Sequence, residues 1–164
     1  MAPISKLISP ILSAPIREWH ICISGFRQSA DEPHGIHKLW LKLGQLRSPV
    51  VQVSLFDWHA NWREIAGSIS LCSVNDLGPL VNVYAYSWGA GYGLVQLAKH
   101  LRNPGIKIKH AVLADPVYRS FFITLRWLAM TPLGDIRIPI NVEEVWWTRQ
   151  YQDWPRGHDL VCRS

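Results

Sequence analysis

The sequence predicts an α/β protein: a three-layer α/β/α sandwich on a mostly parallel sheet of about five to six strands. Two observations carry this. Short apolar runs rich in β-formers alternate with helix-length segments along the chain, the pattern of strand–helix–strand crossovers. The strand runs are also nearly continuous in apolar character, as expected where helices cover both faces of a parallel sheet. A chain of 164 residues, 48% hydrophobic and 18% charged, suffices for one domain with a real core. Residues 1–164 are therefore read as a single domain, with 1–16 as an irregular N-terminal extension.

The strand candidates are 19–24, 50–56, 81–86, 107–114 and 141–147. Between them, 36–46 places Ile36, Leu39, Trp40 and Leu43 at helical spacing, and 62–72 does so more weakly. The segment 91–101 supplies a third helix, stopped by Asn103-Pro104-Gly105. A further helix is expected over 121–130, closed by Thr131-Pro132-Leu133-Gly134. No internal repeat, linker or low-complexity tract interrupts the series.

Composition removes several classes of function. The formal net charge is +5, but the basic residues are scattered and form no stripe interleaved with exposed aromatics, so the charge reads as a solvated surface and no nucleic acid partner is expected. Cys22, Cys72 and Cys162 lack C-x-x-C spacing, which argues against a disulfide framework or a structural zinc site; Cys22 falls inside a strand and reads as core. Three prolines and a single lysine in the first 16 residues make a poor signal peptide, and no stretch is apolar for long enough to span a bilayer. A cytoplasmic setting is the resulting expectation.

Chemistry is concentrated around Val81-Asn-Val-Tyr-Ala-Tyr-Ser87-Trp-Gly89-Ala-Gly91, where an apolar strand runs into a serine flanked by small residues and then into a helix. A strand that turns sharply into a helix forces the residue at the turn into a strained backbone, so the positions two before and two after it must be small. Ala85 and Gly89 meet that requirement. A serine beginning a helix after any buried strand, as helix N-caps often do, is the simpler reading of the same residues.

The segment resembles the nucleophile elbow of the α/β-hydrolase family, usually G-x-S-x-G, with Ala85 in place of the first glycine. The resemblance implies a minimal form of that fold, at the size of small lidless cutinase-like esterases. It also implies a triad in the chain order serine, acid, histidine. Ser87 is then the nucleophile. Leu113-Ala114-Asp115-Pro116-Val117 looks like the position of the acid in pancreatic-type lipases, which makes Asp115 the expected acid, with Asp135 and Asp153 as alternatives. Gly157-His158, close to the C-terminus, supplies the expected histidine; His59 also follows a strand end but precedes the serine. The turn after the first strand, Ser24-Gly25-Phe26, resembles the turn that provides half of an oxyanion hole in this family, so the Phe26 and Trp88 amides are the expected donors.

Those assignments imply ester hydrolysis through an acyl-enzyme, on a small-molecule acyl substrate and without metal or cofactor. Trp58, Trp88, Phe121, Phe122 and Trp154 are expected to ring the serine if their loops converge. Thioester, amide and peptide hydrolysis use the same triad, and a catalytically inactive binding protein could keep the same scaffold.

Overall fold

A computed structural model describes residues 16–26, 28, 34–73, 78–117, 135–149, 157 and 159–162. Five strands form one parallel sheet: β1 (Glu18–Ile23), β2 (Val51–Phe56), β3 (Leu80–Tyr86), β4 (Ile108–Ala114) and β6 (Val142–Thr148). Their spatial order is β2-β1-β3-β4-β6. All five coincide with the predicted strands to within a residue or two at each end. Two short strands that the sequence reading did not anticipate, β5 (Ile136–Ile138) and β7 (Leu160–Cys162), pair in parallel as a separate ribbon. At three residues each, they are too short to register as periodic runs.

Helix α1 (Gly35–Leu43) continues as a 3₁₀ turn over Gly44–Leu46, and α2 covers Trp62–Ser70. The third helix begins with a π-type turn (Gly89–Gly93) and continues as α3 (Leu94–Arg102). Capping explains two of the starts. Asn61 accepts from the Glu64 amide while its side-chain amide donates to the Glu64 carboxylate, and His34 Nδ1 accepts from the His37 amide. The predicted helix over 121–130 lies outside the described residues.

Side chains alternate between the two faces of a strand. On one face Trp19, Ile21 and Ile23 of β1 join Val81, Val83 and Ala85 of β3 and Ala111 and Leu113 of β4, and α2 and α3 close over them with Trp62, Ala66, Ile69, Leu94, Leu97 and Leu101. This is the core. The other face is more polar than a doubly covered parallel sheet leads one to expect. Glu18, His20, Asn82, Tyr84, His110 and Glu144 form a chain of polar contacts across β1, β3, β4 and β6, with Asn82 donating to Glu18 at 3.0 Å and His110 Nδ1 2.9 Å from Asn82 Oδ1. Helix α1 packs on β1, β2 and β3, and its first turn lines a cleft with Tyr86 and Ala114 on this second face. Cys22 is fully buried there beside Tyr84, and burial pushes its thiol up to about 12.

The strand order places the site. Chain direction across the sheet reverses between β1 and β3, and in doubly wound sheets the crevice beyond the carboxyl ends of such a pair is where ligands gather. The loops that open there begin at Ser24 and Ser87.

Candidate functional site

Ser87 stands at the end of β3 with φ +52°, a left-handed conformation that an L-residue adopts only at a cost of roughly 1–2 kcal/mol. The turn is held from both sides. The Ser87 amide donates to the Ala114 carbonyl at 3.0 Å, and the Ser87 carbonyl accepts from the Ala90 and Gly91 amides at 3.1 and 3.0 Å as the helix starts. The space around it is the reason for the small residues. A Cβ at Gly89 would stand 2.5 Å from the Ser24 carbonyl oxygen and 2.7 Å from that of Ile23, so only glycine lets the helix begin this close to β1. Ala85 is buried in the core beneath the turn.

Asp115 occupies the corresponding place on the adjacent strand. Tyr86 and Ala114 are register partners, and Ser87 and Asp115 follow them directly. Asp115 is buried, has φ +47°, and donates its amide to the Thr148 carbonyl at 2.8 Å. Both residues are therefore bent out of extended backbone at the same level of the sheet. The phenol of Tyr86, the last residue of β3, is pushed up first by burial and then by the Asp115 carboxylate.

The turn after β1 is pressed against the serine from the other side. A Cβ at Gly25 would stand 2.9 Å from Tyr86 Cδ1 and 3.0 Å from Ser87 Cβ. Gln28 accepts from the Gly25 amide at 3.1 Å and donates its own amide back to the Gly25 carbonyl at 3.2 Å, closing the turn. With the Gly25 amide so engaged, Phe26 is the next amide along the turn. Trp88 lies in the first turn of the helix, where the helix itself offers amides no acceptor. The Phe26 and Trp88 rings stack at 5.2 Å between centroids, so the two residues expected to supply the oxyanion donors are brought together beside Ser87.

Other expectations divide. Asp135 is exposed and lines a separate cleft of about 260 Å³ with Tyr92 and Arg137, at the flank of α3. His59 packs its ring on Trp58 at 4.9 Å and makes no hydrogen bond to Ser87. Among the described residues no side chain hydrogen-bonds Ser87 Oγ. His158 lies outside the described residues, as do Asp153, Phe121, Phe122 and Trp154. Gly157, the residue before His158, is described and buried: a Cβ there would overlap Asp115 Oδ1, so the chain passes directly against the acid at that point.

Trp58 and Trp88 converge as expected, at 4.8 Å between ring centroids. Two members of the site escaped the sequence reading. Tyr92 reaches Trp58 at 5.8 Å; its place four residues after Trp88, on the same side of the helix, was the available signal. Gln28 fixes the turn after β1, and its spacing of three from Gly25 is that of a turn-closing residue.

Ser24 is fully buried and donates to Asp57 Oδ1 at 3.1 Å, joining the ends of β1 and β2 behind the site. Among the described residues no group of His, Cys, Asp and Glu is arranged to hold a metal ion, and no helix is long and apolar enough to cross a membrane. Comparison with protein-family models, curated proteins and solved structures gave no match to this chain.

Proposed function

We propose that this protein is a serine hydrolase of the α/β-hydrolase type that cleaves carboxylic esters, with Ser87 as nucleophile, His158 as base and Asp115 as the acid that orients it. The backbone of Ser87 carries the reading: φ +52° at a strand-to-helix turn that Gly89 makes possible, the strained presentation a nucleophile elbow requires. The loop of Asp115 at the same level, and the approach of the chain to that acid one residue before His158, support it.

In the reaction, His158 takes the Ser87 proton as Oγ attacks the ester carbonyl, and the negative charge moves to the carbonyl oxygen. The amides of Phe26 and Trp88 stabilise that oxyanion; one such donor is worth on the order of 100-fold in rate. The imidazolium returns its proton to the departing alcohol, leaving an acyl-enzyme, and water activated by the same imidazole releases the acid. Asp115 accepts from the imidazole Nδ1–H and stabilises its charged form.

Labelling with a fluorophosphonate, followed by mass spectrometry, tests this. An adduct on Ser87 that is absent in both Ser87→Ala and His158→Ala is the expected result. A folded wild-type protein that takes no adduct would refute the proposal and leave a binding role for the scaffold. A panel of matched ester, thioester and amide substrates then separates the acyl classes, which share this machinery.

A further inference from the structure

Phe26, Trp58, Trp88 and Tyr92 come from the loops after β1, β2 and β3 and gather at the carboxyl end of the sheet. Their ring centroids lie 4.8–6.1 Å apart in four contacting pairs. This is not core. The core tryptophans Trp19 and Trp62 are 8% and 4% exposed, whereas Phe26 is 50% exposed and the other three rings are half-buried. Scattered exposed aromatics are ordinary on a soluble protein, but a contiguous cluster held in reach of water marks a binding surface.

We infer that this cluster is a substrate subsite for an aromatic ring, carried by an ester whose carbonyl sits at Ser87. The inference rests on the reading of Ser87 given above. Contact joins the cluster to the serine: Trp88 follows Ser87 in the chain, and the glycine before Phe26 lies against the Ser87 side chain.

Ring orientation selects the ligand. Phe26 and Trp88 are within 30° of parallel, while Trp58 stands at 68° to Trp88 and Tyr92 at 74° to Trp58. The surface therefore offers faces and edges together, the two arrangements in which aromatic rings attract one another beyond simple burial. A saturated ring of the same size gains the burial but not the quadrupole term. Among the described residues the four rings pack pair by pair against one another, the arrangement of a platform and not of walls set apart around an ammonium group.

Positions are secured from behind. Trp62 Nε1 donates to the Trp58 carbonyl at 3.1 Å, fixing the β2 loop to α2, and Trp58 packs between Trp88 and Tyr92. The platform is in place before a ligand arrives, which reduces the ordering cost of binding.

The test pairs methyl benzoate with methyl cyclohexanecarboxylate, on wild type, Trp58→Leu and Tyr92→Leu, and adds equilibrium binding of methyl benzoate to Ser87→Ala followed by tryptophan fluorescence. We expect kcat/KM to favour the aryl ester about fivefold, the preference to fall towards one in either variant, and Ser87→Ala to bind methyl benzoate saturably. Ring binding without hydrolysis of any ester would overturn the role of Ser87 and leave the subsite standing. Hydrolysis with no preference between the two esters, unchanged by both substitutions, would overturn the subsite and leave Ser87 standing. Displacement of methyl benzoate by tetramethylammonium at lower concentration than by benzene would also overturn it, in favour of a cation site.

Discussion

The amide of Val117 donates to the carbonyl of Ser87 at 3.0 Å, so the loop that carries Asp115 is fastened to the turn that carries the serine. Both loops leave adjacent parallel strands, both bend through positive φ, and this bond holds them at one level. Relative placement of Ser87 and Asp115 is thus a property of the backbone, and side-chain substitutions at either position should leave it largely intact.

Strain at Ser87 opposes stability. Replacing it with glycine relieves a left-handed conformation costing roughly 1–2 kcal/mol, offset in part by the greater freedom of glycine in the unfolded chain. Ser87→Gly is expected to be more stable than wild type by about 0.5–1 kcal/mol in urea denaturation, and to lose fluorophosphonate labelling entirely. A destabilised Ser87→Gly would remove the case for strain.

Two glycines give opposite outcomes on substitution. Gly89→Ala forces a Cβ to within 2.5 Å of a main-chain oxygen of Ser24, and the overpacking should cost about 3 kcal/mol and distort the turn. Gly67, in the middle of α2, meets nothing within 4 Å, so Gly67→Ala should raise stability by about 1 kcal/mol through helix propensity alone. Thermal melts of the pair measure both effects.

Asn141 is a buried tie between α3 and the start of β6. Its side-chain amide donates to the carbonyls of Ala98 at 2.9 Å and Ile106 at 3.2 Å. Asn141→Ala leaves two carbonyls without that donor and should destabilise by about 2–3 kcal/mol. Asn141→Asp should be worse, because a carboxylate then faces both oxygens. Chemical denaturation of the two variants checks the order.

Alkali should weaken the fold through Cys22. Its thiol, near 9.0 when unperturbed, is pushed up to about 12 by burial, so the native state keeps a proton that the unfolded chain releases. Stability is full below about pH 9 and falls as pH rises from there towards 12, by roughly 1.4 kcal/mol per pH unit. Tyr84 and Tyr86, also raised chiefly by burial, act in the same direction above pH 10. Cys22→Ala should flatten the decline between pH 9 and 10, measured as urea midpoints across that range.

Much of this architecture was legible in the sequence because each strand candidate is a short run rich in apolar residues set between helix-length segments, and the residues of one face, such as Val81, Val83 and Ala85, are buried in the core. The demand for small residues around Ser87 was legible for a similar reason: steric exclusion leaves a mark at a fixed offset. The polar face was not. His20 and Asn82 find their partners in Tyr84 and Glu18, each 64 residues distant, and no local pattern distinguishes a histidine awaiting such a partner from a solvated one. The ribbon of β5 and β7 was hidden because its two strands are 22 residues apart and individually too short to show a period. At the site, the aromatic platform was half visible: Trp58 and Trp88 declared themselves as large apolar residues at strand ends, while Tyr92 depended on the phase of a helix that opens with a π-type turn.

The crevice between β1 and β3 is walled by parts that are fixed separately. Each wall is a separate loop, anchored to its own strand and fastened by its own contacts: Gln28 closes the first, Trp62 holds the second, and the helix behind Ser87 holds the third. Residues 26, 58 and 92 can therefore vary one at a time while the bonds that fix the serine and the acid stay as they are. The rings of the proposed subsite thus come from three separately anchored segments, the third of which also carries Ser87.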